Sequence, residues 1–241
     1  MISIIIPTLN EAPNLPDLLQ SLSHDEMDIE IIIVDGGSTD STIDISEQYG
    51  ARIMETRPGR GHQLRTGADV STGDILWFLH ADCKISRGAL DAIQRLLITN
   101  PQMVGGNFRL LFDGNDDFSR WLNGFYARIR ARGFYYGDSG VFVRRDTYQE
   151  LGGLRPLALM EDYDFNRRLE RIGQTGIIND APLVTSSRRF EGRHKWHIIS
   201  EWLLIHALFY LRVPSPILAW IYNAQRHRHT AYREPSFSDQ S

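Results

Sequence analysis

Ile75-Leu76-Trp77-Phe78-Leu79-His80-Ala81-Asp82 decides how this chain is read. Five apolar residues in a row mark a strand buried on both faces, and the run stops abruptly in polar residues. A buried strand that delivers a carboxylate at its carboxyl end is how open α/β sheets place ligand groups. Asp82 therefore has two readings, a ligand group or the cap of the next helix, and this stretch alone weighs them equally.

Upstream, strands and helices alternate. Ile2–Ile6 is a strand ended by Pro7. Asn10 to Asn14 is turn chemistry, with Asn14 placed to cap a helix whose apolar face is Leu15, Leu18, Leu19 and Leu22. Ile29–Val34, nearly all β-branched, is a second strand. It runs into Asp35-Gly36-Gly37-Ser38-Thr39-Asp40, and a helix follows with Gly50 as its stop. Arg52–Glu55 is a third strand, Arg57–Gly61 a loop, and His62–Val70 a helix that leads into the central strand. Ala89, Leu90, Ile93, Leu96 and Leu97 mark the helix after it.

This alternation calls for a mostly parallel sheet with helices on both faces. Right-handed crossovers then put the strands' carboxyl ends on one edge. Thr8, Asn10, Glu11, Asp35, His80 and Asp82 converge there. Gly36-Gly37 lacks a dinucleotide fingerprint, and the chain has no Walker-type Gly-Lys-Ser/Thr. The glycines either make a tight turn or let backbone approach a ligand while Asp35 bonds a base or ribose. Strand-end positions favour binding for Glu11 and Asp35.

Composition narrows the function classes. At 241 residues, 42% hydrophobic and 23% charged, the chain is long enough for one large domain with a full core. A net charge of −4 argues against a nucleic-acid binder that works through a broad basic surface. One cysteine, Cys83, excludes an internal disulfide framework and fits a reducing compartment, so the cytoplasm is the expected location. No apolar run reaches the roughly 18 residues of a membrane span, and no signal-like segment opens the chain.

The second half is less regular. Val104–Phe112 alternates loosely and reads as a long antiparallel strand. Phe118, Trp121, Leu122, Phe125, Tyr126 and Ile129 fit a helix with an aromatic stripe. Tyr135 to Gly140, with Asp138 in it, is a loop before the strand Val141–Val143. Asp146 reads as the cap of a short helix ended by Gly152-Gly153. Met160-Glu161-Asp162-Tyr163-Asp164 then opens a helix whose face is Phe165, Leu169 and Ile172. Acids at a helix start suit the macrodipole, but three exceed what a cap needs, and a carboxylate held in a crevice is what a general base requires.

Five stretches together carry a resemblance: Ile4 to Glu11, Ile33 to Asp40, Phe78 to Asp82, Gly152-Gly153-Leu154 and Met160 to Asp164. In order and spacing they resemble a family 2 inverting glycosyltransferase with the GT-A fold, from residue 2 to about 195. Within that family the chain is similar to a small bacterial subfamily, one branch of which is named for arsenosugar biosynthesis. The resemblance implies a GT-A domain over 1–195, with a nucleotide half (about 1–100) and an acceptor half (about 101–195). It implies a Rossmann-like, mostly parallel sheet with a small antiparallel extension. The segment 196–233 reads as helical and 234–241 as a disordered tail.

The resemblance also assigns roles. Pro7, Thr8, Asn10, Glu11, Asp35, Gly36, His80 and Ala81 would hold the nucleotide, with Arg60 in a loop near the nucleotide and phosphates. Asp82 matches the last acid of an Asp-x-Asp motif and would ligate a divalent cation, Mn2+ or Mg2+. His80 stands where that motif has its first acid. Asp162 matches the catalytic base of a hexosyltransferase-type enzyme that uses a UDP-sugar donor. Glu161 and Asp138 would lie at the diphosphate or acceptor. Apart from the resemblance, the basic stretch 188–195 has two readings: a solvated loop, or a loop whose Arg188 or Arg189 closes over the diphosphate, with His194 completing the metal shell. The acceptor is not implied.

The rival readings are a nucleotidyltransferase and a non-catalytic nucleotide-sugar sensor. The first wants a glycine-rich phosphate loop after the first strand, which Pro7-Thr8-Leu9-Asn10-Glu11 is not; turnover of donor separates the second. Beyond residue 195, Ile198, Trp202, Ile205, Leu208 and Phe209 form an apolar helical face, Pro214 and Pro216 interrupt, and Ile217–Tyr222 resumes. Such a hairpin covers the domain or makes a homodimer contact, and both fates are commoner than lying on a membrane surface.

Overall fold

A computed structural model of the chain describes residues 1–23, 27–187 and 194–231, the last eight of these as backbone only. Two compact units emerge: Met1–Pro156 with Glu161–Glu191, and Leu157–Met160 with Gly192–Ser241.

The larger unit is built on strands β1 (Ile2–Thr8), β2 (Ile29–Asp35), β3 (Arg52–Glu55), β4 (Ile75–Phe78), β5 (Met103–Phe112), β6 (Phe142–Arg144) and β7 (Gln174–Thr185). They form one sheet in the order β3-β2-β1-β4-β6-β5-β7. β1 pairs in parallel with β2 on one side and β4 on the other, with Ile4 opposite Trp77 and Ile5 opposite Phe78. The chain thus winds outward to β3 and returns past β1, which makes the β1/β4 boundary the topological switch point where open α/β sheets bind ligands.

Both faces of this region are dry, which is why its strands read as unbroken apolar runs. Ile5, Ile32, Val34, Leu76, Phe78 and Val143 face one core, shared with Leu64, Ala68, Phe165 and Leu169 of the helices. The alternate residues Ile4, Ile6, Ile33, Trp77 and Phe142 are equally buried on the other face. Helix α1 (Leu15–Ser23) buries its four leucines, and α2 (Thr42–Gln48) ends at Gly50, which takes φ 68°. Helix α3 (Arg60–Val70) packs on β1 and β2. Gly67 permits that approach: a Cβ there would stand 2.5 Å from Ile5 Cγ2 and 2.8 Å from Val34 Cγ2. Helix α4 (Ala89–Thr99) packs on β5 and β7, and α5 (Asp117–Arg130) on β5. Helices α6 (Arg145–Glu150) and α7 (Glu161–Ile172), with one 3-10 turn at Gly137–Ser139, complete this unit's described helices.

Several expectations are corrected. β5 pairs antiparallel with β6, which pairs antiparallel with β4, so β5 runs with the parallel set and β6 alone is reversed. β7, parallel to β5, was not expected. α3 begins at Arg60 rather than His62, so Arg60 is a helix residue and not a loop residue. Arg144, not Asp146, is the N-cap of α6; Asp146 lies inside the first turn and accepts from the N–H of Thr147. The side chain of Asn14 donates to Glu11 at 2.7 Å instead of capping α1.

The smaller unit contains α8 (Lys195–Tyr210) and α9 (Ser215–Ala231), which pack on each other. Pro216 sits in the first turn of α9, where its missing N–H costs nothing. The apolar residues of α8 are not confined to one face. Ile198 and Ile205 are buried, but Trp202, Leu208 and Phe209 are half-buried and Leu203 and Leu204 are exposed. No described helix is long and apolar enough to cross a membrane. The expected tail, 234–241, lies outside the described residues.

Candidate active site

The loops that follow β1 and β2 are tied into one platform. Gly36 N–H donates to Thr8 O at 2.9 Å, and the N–H groups of Asn10, Glu11 and Ala12 donate to Ser38, Thr42 and Asp40 side chains at 2.8, 2.9 and 3.1 Å. Asn10 returns the contact by accepting from Thr39 N–H at 2.8 Å, in a left-handed conformation (φ 56°) that asparagine tolerates. Asp35 is fully buried at the hub. Its Oδ2 accepts from Gly37 N–H (2.8 Å) and Ser38 N–H (2.7 Å), and its Oδ1 from the hydroxyls of Thr8 (3.0 Å) and Ser38. Burial opposes ionisation, but these donors outweigh it and hold the carboxyl below its usual range. With both oxygens so occupied, Asp35 shapes the loop around Gly36 and Gly37.

Gln63 is a positioning residue that the sequence did not single out. Buried in the first turns of α3, its Nε2 donates to Thr8 O and to Val34 O, both at 2.8 Å. One amide thereby ties the carboxyl ends of β1 and β2 together.

β4 ends at Phe78, and His80, Ala81 and Asp82 follow in a turn at the switch point. The helix-cap reading of Asp82 does not hold, since α4 starts seven residues later and its N-cap is Gly88. Asp82 lies near Glu11. Burial raises the Glu11 carboxyl above its usual range, and the charges of Asp82 and Asp40 add to that against the bond from Asn14. Cys83 is buried, with its sulfur 4.0 Å from the carbonyl of Asp138.

The third component is the start of α7. Glu161 and Asp162 occupy its first turn, where the helix N-terminus favours negative charge. Arg60 reaches them across 101 residues of sequence: its Nε bonds Glu161, its Nη2 lies 3.1 Å from Asp162 Oδ2, and its Nη1 is 3.3 Å from His80 Nε2. Asp162 Oδ2 also accepts from Gly137 N–H at 2.8 Å, and Oδ1 from Tyr163 N–H at 2.7 Å. Burial works against the charge on Asp162, but Arg60, these N–H groups and His80 hold its carboxyl below the usual range. Glu161, only 2% exposed, is pushed upward by burial and by its acidic neighbour despite Arg60. The carboxylates keep Arg60 firmly protonated, and the charge of Asp138 contributes to this. Asp164, the third acid, pairs instead with Arg155 (3.0 Å) and Arg168 (2.9 Å).

His80, Arg60, Glu161, Asp162 and Asp138 therefore form one cluster, with Asp82 two residues from His80 and beside Glu11. Pro7, Thr8 and Gly36 line the adjoining strand ends, and Ala81 is buried between His80 and Asp82. His194 belongs to the smaller unit, where its Nδ1 accepts from Trp196 N–H at 3.4 Å as the N-cap of α8. Arg188 and Arg189 lie outside the described residues.

No three His, Cys, Asp or Glu side chains among the described residues gather as a metal cluster. A cation held by one carboxylate, with substrate phosphates and water completing its shell, is the usual arrangement for Mg2+. Asp82, partly exposed at the switch point, fits that part.

A family model described as glycosyl transferase family 2 matches residues 3–154. A "PGL/p-HBAD biosynthesis glycosyltransferase" of Mycobacterium bovis is 43% identical, over 70% of this chain and 69% of that protein. Among solved structures, a mannosyltransferase from Pyrobaculum calidifontis in complex with GDP-Man and Mn2+ superposes with a TM-score of 0.64 at 20% identity, covering 97% of this chain and 76% of that one. Glucosyl-3-phosphoglycerate synthase from Mycobacterium tuberculosis, in complex with Mg2+ and UDP, gives 0.62 at 18% identity, covering 89% and 80%. The fold is that of these GT-A enzymes.

Proposed function

The chain belongs to glycosyl transferase family 2, and on that footing we propose that it moves a hexosyl group from a nucleotide-diphosphate sugar, a UDP-sugar, to an acceptor hydroxyl with inversion. One observation carries the reading: a carboxylate held ionised at a helix N-terminus, Asp162, shares a cluster with His80, the residue that leads from the central strand to Asp82.

In this reading the platform of Pro7, Thr8, Asn10, Glu11 and Gly36, shaped by Asp35, holds the nucleotide. Asp82 would hold a divalent cation, Mn2+ or Mg2+, whose chemistry is to neutralise charge on the departing diphosphate. Asp162 takes the proton of the acceptor hydroxyl; the oxygen bonds to the anomeric carbon as the bond from that carbon to the β-phosphate oxygen breaks. A single displacement of this kind inverts the configuration. A positioned base contributes about 10² to 10⁴ in rate. Arg60 holds Asp162 in the free protein and sits where a diphosphate would compete for its guanidinium, and Arg188 and Arg189 are further candidates for that anion. The mycobacterial relative's name and the UDP- and GDP-Man-bound neighbours support a nucleotide-sugar donor for this chain too.

The test is a panel of UDP- and GDP-sugars with Mn2+, followed for nucleotide release and, with an acceptor, for the anomeric configuration of the product by NMR. Release with an inverted product is expected. Binding without turnover would leave a nucleotide-sugar sensor, and a retained configuration would refute the single displacement.

A further inference from the structure

Helix α8 is apolar on every side. Between Lys195 at its start and Arg212 just past its end, Glu201 is the one charged residue, with the histidines neutral. A helix of that kind belongs in a core or against lipid, yet only one side of α8 is enclosed. Ile198, Glu201 and Ile205 are buried there. On the opposite side Trp196, Leu203, Ala207 and Tyr210 line up at helical spacing, with Leu204 and Leu211 beside them and Ser200 the one polar residue. Trp196 is 64% exposed, Leu203 66% and Leu211 74%. The same character continues along the chain into α9 through Pro214, Pro216, Ile217 and Trp220, the last 71% exposed.

So many large apolar side chains exposed along one line mark a partner surface. The 16 residues of α8 rise about 24 Å, short of the roughly 30 Å hydrocarbon core of a bilayer, a length that fits lying along a membrane and not crossing it. Trp196, Tyr210 and Trp220 are of the residue types that settle at the headgroup level, with an apolar ring on one side and a polar edge on the other.

Charge separates a lipid surface from a second copy of the chain. The sequence 195–231 carries Lys195, Arg212, Arg226 and Arg228 against Glu201 alone, in a chain whose net charge is −4. Exposed Lys195 and Arg212 bracket the apolar line at its two ends, whereas Glu201 is buried on the far side of the helix. A two-fold interface sets the same patch against itself, so a second copy docked here would bring no acid of its own patch to these cations. An anionic bilayer supplies the missing charge: lipid phosphates meet the cations while the apolar line enters the acyl boundary.

We propose that the outward side of α8 and the start of α9 form a docking surface for an anionic lipid bilayer. The assignment is independent of the transferase reading. Co-sedimentation of the full chain with vesicles tests it. The chain should bind vesicles of equal parts phosphatidylglycerol and phosphatidylcholine about tenfold or more tightly than phosphatidylcholine alone, and added salt should narrow that difference. Leu203→Ser combined with Trp220→Ser should weaken the binding about tenfold or more. Ile98→Ser, an equally exposed apolar position on α4, should leave it unchanged. Arg212→Gln should weaken binding to the anionic vesicles about fivefold, the share of one cation near the surface, and leave binding to the neutral ones as it was. All of these positions are exposed, and circular dichroism verifies each fold. No binding to anionic vesicles, equal binding to both kinds, or binding that survives the double substitution overturns the proposal. So does a dimer in sedimentation equilibrium that the double substitution dissociates, since the face then belongs to a second copy.

Discussion

Replacing Arg60 by methionine isolates the electrostatics of the site. The side chain keeps its length but loses the cation that two carboxylates share. Removing one partner of a buried ion pair costs about 3–5 kcal/mol. Arg60 is 37% exposed, however, so water already screens part of the interaction, and the lower figure of about 2–3 kcal/mol is the better expectation. For a chain of this size that is a fall in Tm of roughly 5–10 °C near neutral pH. The loss should depend on pH. Without Arg60, Glu161 and Asp162 repel each other under burial, and one of them binds a proton more tightly folded than unfolded. A carboxyl raised in the folded state favours folding at low pH, and that advantage is lost as pH rises from its unfolded value, near 4.5 for Glu161, through the raised one. The stability gap between wild type and Arg60→Met should therefore be smaller at pH 5, where it reflects mainly the cation lost by Asp162, than at pH 8. Urea denaturation at both values measures it. An equal gap at the two would refute the claim that the arginine offsets buried carboxylate charge.

Other perturbations test separate parts of the account. Asp82→Ala should weaken Mn2+-dependent UDP binding about tenfold or more in calorimetry, the loss expected of about 1.4 kcal/mol, while binding without the cation changes little. Gln63→Leu strips two buried strand-end carbonyls of a donor and should cost about 1–3 kcal/mol in urea denaturation. Gly67→Ala gains helix propensity worth about 1 kcal/mol, but its Cβ contacts below 3 Å require α3 to move off β1; a net loss of about 1–2 kcal/mol is expected, and a gain would show that the helix has slack.

Much of the nucleotide half was legible because its strands are buried on both faces. Each apolar run, from Ile2–Ile6 to Ile75–Leu79, ends in turn or polar residues at the sheet edge, and β3 was read to the residue. β7 escaped notice because Asn179-Asp180-Ala181-Pro182 interrupts its pattern, where its register with β5 also shifts. The direction of β5 is not written in its residues; it follows from β6, three residues long and reversed between two parallel strands. In the site, Glu11, Asp82 and Asp162 stood out as acids at strand or helix ends. Gln63 did not, because a glutamine in a helix ordinarily faces water; the available signal was its place beside Leu64 and four residues before Gly67, on the buried stripe of α3. Nor does a sequence pattern join Arg60 to acids 101 residues away.

The most direct test of the account is the transfer rate of Asp162→Asn measured alongside its affinity for the donor. The amide keeps the shape of the carboxyl but accepts no proton at neutral pH. Transfer should fall by about 10² to 10⁴ while donor affinity stays within a few-fold of wild type. Wild-type turnover in that variant would contradict the assignment of the base and, with it, the mechanism built on this cluster.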